Sequence, residues 1–501
     1  MIQGQAEYER ATGLEARFEE LRRRAGLILA PVLFALTLAI GIPGLSGPAN
    51  RLAAILLAVI TLWVTEAIPL AATALLGPAV AVMLGLAPVR TVLAPFADPI
   101  IFVFIGSFIL AEAIFVHRLN ERIAFGVMSW RWVGARPARI LLAYGAIAAG
   151  VSMWISNTAT AAMLLPIGLS LLAFMEKETR ISKSYGTALM LMTSYAATWG
   201  GVGTPVGTPP NLIGIAMLER YAGVRIDFLQ WMMLGTPLAA VMMVVIFLYL
   251  NRAGRAGVKE APGSEQLIRS RKAALGPWRR GEKNALIAFA VTAVLWIVPG
   301  LAPLILGSQH AVSQALTARL PESVAALAGA GLLFLLPVSR HERSTITWKQ
   351  ASNIDWGTIL LFGGGLALGE LTFSTGLAET MGKAITGLFP VSSLAALTFA
   401  AALFAVVLSE AMSNTAATNI AVPIIIAIAQ AAGVSPVAPA LAVTFAASAG
   451  FALPVSTPPN ALVYGSGKIP ILHMVRYGLL LDALAVILIP AMILLLAPWV
   501  L

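Results

Sequence analysis

Long apolar runs, broken at intervals by short clusters of Ser, Asn, Thr, Gly and Pro, dominate this 501-residue chain. Runs near or above the roughly 18–20 residues needed to cross a bilayer recur at 25–45, 68–89, 284–305, 392–408 and 478–499. Apolar segments of that length predict helices, because in lipid each backbone N–H and C=O must be satisfied within its own segment. The pattern predicts an all-α polytopic membrane protein with about 11 transmembrane helices.

The polar clusters inside these runs carry the chemistry. In 150–166 the triplet Ser156-Asn157-Thr158 sits at the centre of an apolar stretch. Ser, Asn and Thr compete with the backbone for hydrogen bonds and prefer caps and turns. The triplet predicts a helix that stops at 155 and restarts near 158. The restart exposes N–H groups and a positive dipole end, which attract anions. The preceding carbonyls and the side-chain oxygens suit a hard cation such as sodium. Hydrogen-bonding glue between helices is the other reading of such residues. A second cluster, Gly-rich 200–211, ends in Thr208-Pro209-Pro210-Asn211. Proline lacks an N–H and restricts the residue before it, so this stretch predicts an unwound break or a structural kink. Without a Gly-Lys-Ser/Thr ending it is not a phosphate-binding loop.

These clusters recur in order. Asp98, Ser156-Asn157-Thr158 and Pro166 match Asp355, Ser413-Asn414-Thr415 and Pro423, all at one shift of 257 positions. Thr208-Pro209-Pro210-Asn211 returns as Thr457-Pro458-Pro459-Asn460, at a shift of 249. A constant shift across three landmarks, with a fourth in the same order, indicates duplication, a hallmark of secondary transporters whose binding site lies at the repeat interface. Parallel and inverted repeats both satisfy this pattern. Segments 98–124 and 355–385 each read as two short apolar arms around a polar turn, like a re-entrant hairpin. Carboxylates within apolar segments, Glu66, Glu112, Glu370 and Glu410, are candidates for structural ion pairs or for proton coupling, and the structural role is favoured because none lies in a Ser-Asn-Thr break.

Composition narrows the class further. The chain is 59% hydrophobic and only 11% charged, with mean hydropathy +0.87. A soluble domain carries roughly 25% charged residues. The net charge of +10 gathers in loops: Arg22 to Arg24 before the first span, Arg118 to Arg139 after another, and nine Lys and Arg residues in 251–283. Positive loops mark the cytoplasmic side, which places the amino terminus and the 251–283 loop there. No aromatic–basic interleaving accompanies these charges, so nucleic acid is not an expected partner. No cleavable signal peptide is expected, since the first apolar run is long enough to span and lacks a small-residue cleavage site. Cysteine is absent and there are four histidines, His117, His310, His341 and His473, in or near loops or at a span end. Neither a His-Glu-x-x-His sequence nor a thiol nucleophile is present, which argues against an enzyme.

Together, the two Ser-Asn-Thr motifs, Trp63-Val-Thr-Glu66-Ala-Ile-Pro69 and a carboxy-terminal signature resemble the divalent anion/sodium symporter (DASS) family, the INDY-type dicarboxylate carriers. That signature runs from Ala447-Ser448 through Phe451, Pro454, Val455-Ser456 and Asn460 to Leu462-Val463. The landmarks cover residues 63 to 463 in family order.

The resemblance implies a homodimer of protomers built from two inverted repeats with broken helices and re-entrant hairpins, moving substrate by an elevator displacement. It implies a cytoplasmic segment 1–24, scaffold parts 25–97 and 229–354, and transport-domain repeats 98–228 and 355–501. It assigns substrate carboxylates to Asn157, Thr158, Asn414 and Thr415, with Thr457 and Pro458 from the second break and Thr208 and Pro209 as their counterparts. It assigns one sodium ion to Ser152, Ser156, Asn157 and a carbonyl near Gly207, with Gly203 the alternative. A second falls to Ser409, Met412, Asn414 and Ser456, where Ser409 stands in place of the family's threonine. The implied function is sodium-coupled symport of succinate, malate or fumarate across the cell (inner/plasma) membrane, among membrane lipids. Sodium-independent exchange, sulfate or tricarboxylate carriage and, in a different class, an anion channel are the alternatives.

Overall fold

The computed structural model describes residues 2–339, 343–388 and 393–501, with side chains described from Arg17 onward except for Phe18 and Leu388. His341 lies outside the described residues. Among the described residues, ten helices are long and apolar enough to cross a membrane, or up to 11 when the pair Ala311–Arg319 and Glu322–Leu335, bent by 67°, is one span. The described residues contain helices, turns and loops but no strand.

Boundaries follow local chemistry. The run at 25–45 belongs to a longer helix, Ile2–Ile40, whose candidate span is Glu19–Ile40. The apolar run 68–89 is not one span. Its helix covers only Leu70–Met83 and stops before Gly85, which has a φ of +69°, and Pro88. A left-handed glycine and a proline together end a helix however apolar the sequence. Within 251–283 lies a short basic helix, Ser264–Ala274.

The chain divides into two compact units. The first takes Met1–Asp98, Ile213–Val224 and Trp356–Ala447. Its best-covered span is Asn414–Ala431, of which 78% is buried. Arg220 bridges Glu370, and its other arm lies 3.6 Å from Asp98, while Glu66 lies 3.5 Å from Arg22. Two of the carboxylates singled out by sequence therefore have cation partners. Glu410 sits on Leu394–Ala411.

The second unit takes Pro99–Leu212, Arg225–Asp355 and Ser448–Leu501. Glu112 sits on Pro99–Val116, which turns at Arg118 (φ +55°) into Leu119–Met128. At its centre is Lys183–Gly201, buried on every side from Tyr185 to Gly201. A helix covered all round needs small residues where neighbours approach, and this one carries Gly, Ala, Ser and Thr throughout. Gly200, for example, packs directly on the backbone of Ala149.

Candidate functional site

Each Ser-Asn-Thr triplet restarts a helix. In the second unit Pro137–Ser152 ends, and Asn157–Thr179 begins with Ser156 as its cap. The stop falls at 152 rather than 155, because Met153 to Ile155 form a turn before the cap. In the first unit Leu394–Ala411 ends and Asn414–Ala431 begins, capped by Ser413. Cap dihedrals are −55°, 143° for Ser156 and −62°, 142° for Ser413, and each hydroxyl accepts the N–H three residues on at 3.3 Å. The first two N–H groups of each helix, Asn157 with Thr158 and Asn414 with Thr415, have no intrahelical acceptor. Ser156 and Thr158 are exposed, and Asn157, Asn414 and Thr415 half-buried. Donors of this kind attract an anion without any basic side chain.

Oxygen atoms gather beside both caps. Ser152 Oγ donates to Asn157 Oδ1 at 2.7 Å. Asn157 Oδ1 also lies against Gly201, whose neighbour in the fold is Gly207. A Cβ added to Gly207 would come within 2.8 Å of the Met153 carbonyl oxygen, so only glycine lets these backbones meet. Ser156 stays at the cap. The alternative glycine, Gly203, has its carbonyl engaged by Thr236 Oγ1 at 2.9 Å.

In the first unit Ser409 Oγ lies 2.8 Å from Asn414 Oδ1 and 2.7 Å from the Ala447 carbonyl oxygen. One hydroxyl proton can serve only one of these acceptors at a time. Three oxygens sharing one proton make a donor set that a hard cation satisfies better than the proton does. Ala447 was not among the residues singled out as ligands. Met412 is buried at the end of the preceding helix, and Ser456 belongs to the second unit.

The Thr-Pro-Pro-Asn stretches also start helices, so the unwound residues lie ahead of the prolines. Pro209–Ala222 and Pro458–Tyr464 begin on them. Proline is well placed there, because its missing N–H would be an orphan in any case. Thr457 Oγ1 caps the second helix by accepting the Asn460 N–H at 3.3 Å, and Pro458 beside it is exposed. Thr208 is buried and Pro209 half-buried.

The asparagines brace the breaks. Asn211 Nδ2 donates to the carbonyls of Gly201 (2.9 Å) and Thr204 (2.7 Å), and Asn460 Nδ2 to those of Gly450 (2.9 Å) and Leu453 (3.0 Å).

One feature separates the halves. The break near 202 is held from Phe228–Ala253 by neutral donors: Trp231 Nε1 to the Val202 carbonyl at 3.1 Å, and Thr236 to Gly203. The break near 451 is held from Ile471–Val500 by a carboxylate, Asp482 Oδ1, which accepts the Phe451 N–H at 3.3 Å. Tyr195 Oη donates to the Phe451 carbonyl at 3.0 Å. Asp482 is 4% exposed. Sequence reading passed over it, because a single acid inside a 30-residue apolar helix does not alter the run that identifies a span.

Repeated helix breaks with oxygen clusters beside the helix starts, in a chain with many candidate spans, mark a membrane transport protein. The chain belongs to the family described as sodium:sulfate symporter transmembrane region, which it matches over residues 22–501. It is 36% identical over 496 residues to the sodium-dependent dicarboxylate transporter SdcS of Staphylococcus saprophyticus, covering 95% of this chain and 92% of that one. The corresponding SdcS of Staphylococcus aureus is 35% identical, covering 93% and 89%. Among solved structures, the Alcanivorax borkumensis YdaH transporter resembles it in fold with a TM-score of 0.51 at 13% identity, covering 80% of this chain and 86% of that one. MtrF of Neisseria gonorrhoeae gives 0.51 at 11% identity, covering 81% and 82%.

Proposed function

We propose that the chain couples the uptake of a small dicarboxylate to sodium in the cell (inner/plasma) membrane. The observation that carries this reading is the pairing of an oxygen cluster with an anion-facing helix start in each half. Ser152 and Asn157 lie beside one start, and Ser409 and Asn414 beside the other. None of the breaks contains Lys or Arg. The substrate's charge is then met by N–H groups, hydroxyls and bound sodium. Two such starts suit a dianion with a carboxylate at each end, which accords with the dicarboxylate transporters that share 36% and 35% of its sequence.

In this reading Asn157, Thr158, Asn414 and Thr415 bind substrate, with Thr457, Pro458, Thr208 and Pro209 as further contacts. One sodium ion uses Ser152, Ser156, Asn157 and the Gly207 carbonyl, and the other Ser409, Met412, Asn414 and Ser456. Residues 25–97 and 229–354 act as scaffold while 98–228 and 355–501 move as an elevator, in a homodimer with a cytoplasmic amino terminus. The test is uptake of labelled succinate, sulfate and citrate into proteoliposomes with and without a sodium gradient. Succinate accumulation that needs the gradient supports the reading. Accumulation of sulfate that excess succinate does not inhibit overturns the dicarboxylate assignment.

A further inference from the structure

A cavity of about 890 Å³ opens within the second unit between Leu119–Met128, Asn157–Thr179 and the basic helix Ser264–Ala274. One wall is a stripe on Asn157–Thr179 formed by Ala159, Met163, Pro166 and Ser170. Residues three or four apart share a helix face. Extended back by one step, the stripe reaches Ser156, the exposed cap of the Ser-Asn-Thr break. The cavity therefore runs along the same face that ends at the candidate substrate site.

The charges on its lining do not cancel. Arg118 pairs with Glu121, its Nε 2.8 Å from Oε1, and Glu282 pairs with Arg122 at 3.0 Å. Arg271 and Arg279 line the cavity, and neither guanidinium forms a salt bridge among the described residues, although Glu282 Oε2 accepts the backbone N–H of Arg279 at 2.7 Å. Arg271 reaches across to the stripe, with Nη2 3.5 Å from Ser170 Oγ. Asn120, only 4% exposed, also lines the cavity, and its Oδ1 has no partner among the described residues. Its amide can be turned to offer N–H groups, because the two ends of the group are nearly isosteric.

Arg122 fixes this mouth in place. Its guanidinium donates to the carbonyls of Leu275 (3.3 Å), Gly276 (3.1 Å) and Pro277 (3.2 Å), and lies 5.0 Å from the centre of the Trp278 ring. The segment between Arg271 and Arg279 is thus tied to the helix Leu119–Met128.

We propose that this cavity is an antechamber for the transported dianion, a second and weaker binding site. Arg271 and Arg279 take up a carboxylate at the mouth. The stripe on Asn157–Thr179 then leads it to the donors of Asn157 and Thr158. Arg122 acts as a positioning residue for the mouth. The proposal rests on the carrier reading above and adds to it the route by which substrate meets one face of the site. Uncompensated guanidinium groups at the mouth of a low-dielectric cleft concentrate anions and raise their rate of entry.

The native chain has no cysteine, which makes two tests clean. In the first, Met163→Cys protein in proteoliposomes is labelled with a negatively charged methanethiosulfonate. Labelling should block succinate uptake relative to the same variant unlabelled, and saturating succinate with sodium should slow the labelling. In the second, Arg271→Glu/Arg279→Glu protein is assayed in inside-out proteoliposomes, which present the cytoplasmic face carrying the 251–283 loop to the substrate, at subsaturating succinate with sodium fixed and ionic strength raised by choline chloride. Uptake should fall on the order of tenfold at low ionic strength, and the deficit should shrink as salt shortens the screening length. A merely structural role for the arginines would give a loss independent of salt, and that result overturns the proposal. Quantitative labelling of Met163→Cys with undiminished uptake overturns it as well. Unmodified protein is measured alongside. If it carries no succinate, the carrier reading fails and the antechamber with it. If it does and either overturning result is seen, only the antechamber fails.

Discussion

Asp482 Oδ1 accepts the backbone N–H of Phe451 at 3.3 Å, joining a carboxylate in the last helix to the unwound segment that carries Ser456 and Thr457. One turn earlier on the same helix, Gly478 packs directly on the backbone of Phe451 and Ala452. The helix therefore seats the loop by close approach at one position and by a side-chain acceptor at the next.

A buried N–H that loses its acceptor costs about 1–3 kcal/mol. Asp482→Ala should lower thermal stability in detergent and raise the succinate KM together. Asp482→Asn keeps an acceptor oxygen and should recover most of both. If Asp482→Asn is as impaired as Asp482→Ala, the negative charge itself is required and the acceptor role is insufficient.

Gly207 gives a sharper structural test. A Cβ there would come within 2.8 Å of the Met153 carbonyl oxygen, closer than side-chain carbons approach backbone oxygen. Gly207→Ala should cost about 1–3 kcal/mol through overpacking, read as weakened sodium activation of uptake. Gly126→Ala is the control, since a Cβ there meets nothing within 4 Å. Equal sodium activation in the two variants would separate Gly207 from the cation cluster.

How much of this was legible in the sequence depends on which force sets each feature. The Ser-Asn-Thr caps were readable because those side chains carry a local preference, and both restarts lie within a residue of the sequence estimate. The stop before Asn157 was placed three residues late, since the turn at 153–155 is set by tertiary contacts such as Thr204 Oγ1 on the Met153 carbonyl. Proline signalled interruption, but whether a proline ends or begins a helix depends on which neighbours supply hydrogen bonds. Ala447 and Asp482 were illegible for a different reason. A carbonyl has no side-chain signature, and an isolated acid does not change a 30-residue apolar pattern.

Inverted repeats make a topological prediction. Arg118 and Thr375 stand at the same shift of 257 positions as the duplicated landmarks, each at the turn after a long apolar helix. Asn120, two residues on, is 4% exposed and unsuited to labelling. Arg118→Cys and the neighbouring exposed Ser374→Cys should react with an impermeant maleimide from opposite sides of the membrane. Reaction of both from one side would replace the inverted arrangement with a parallel one.

Coupling is the prediction with the most at stake for function. Asn157 and Asn414 each present an amide oxygen to an oxygen cluster and a backbone N–H at a helix start. If a sodium ion binds at each cluster, its positive charge lies close to the substrate's carboxylate in a low-dielectric setting, where opposite charges attract strongly. Linkage then requires sodium and succinate to raise each other's affinity by the same factor. Asn157→Ala and Asn414→Ala should each weaken both ligands, since a hydrogen bond to a charged group contributes about 1.5–3 kcal/mol, or ten- to hundredfold in affinity. Ser152→Ala and Ser409→Ala remove only a cluster oxygen, so saturating sodium should restore most of their succinate affinity. The measurement is succinate affinity of purified protein as sodium is exchanged for choline at constant ionic strength. An affinity that does not change with sodium, in protein that still performs succinate counterflow, would identify an exchanger and remove sodium from the mechanism.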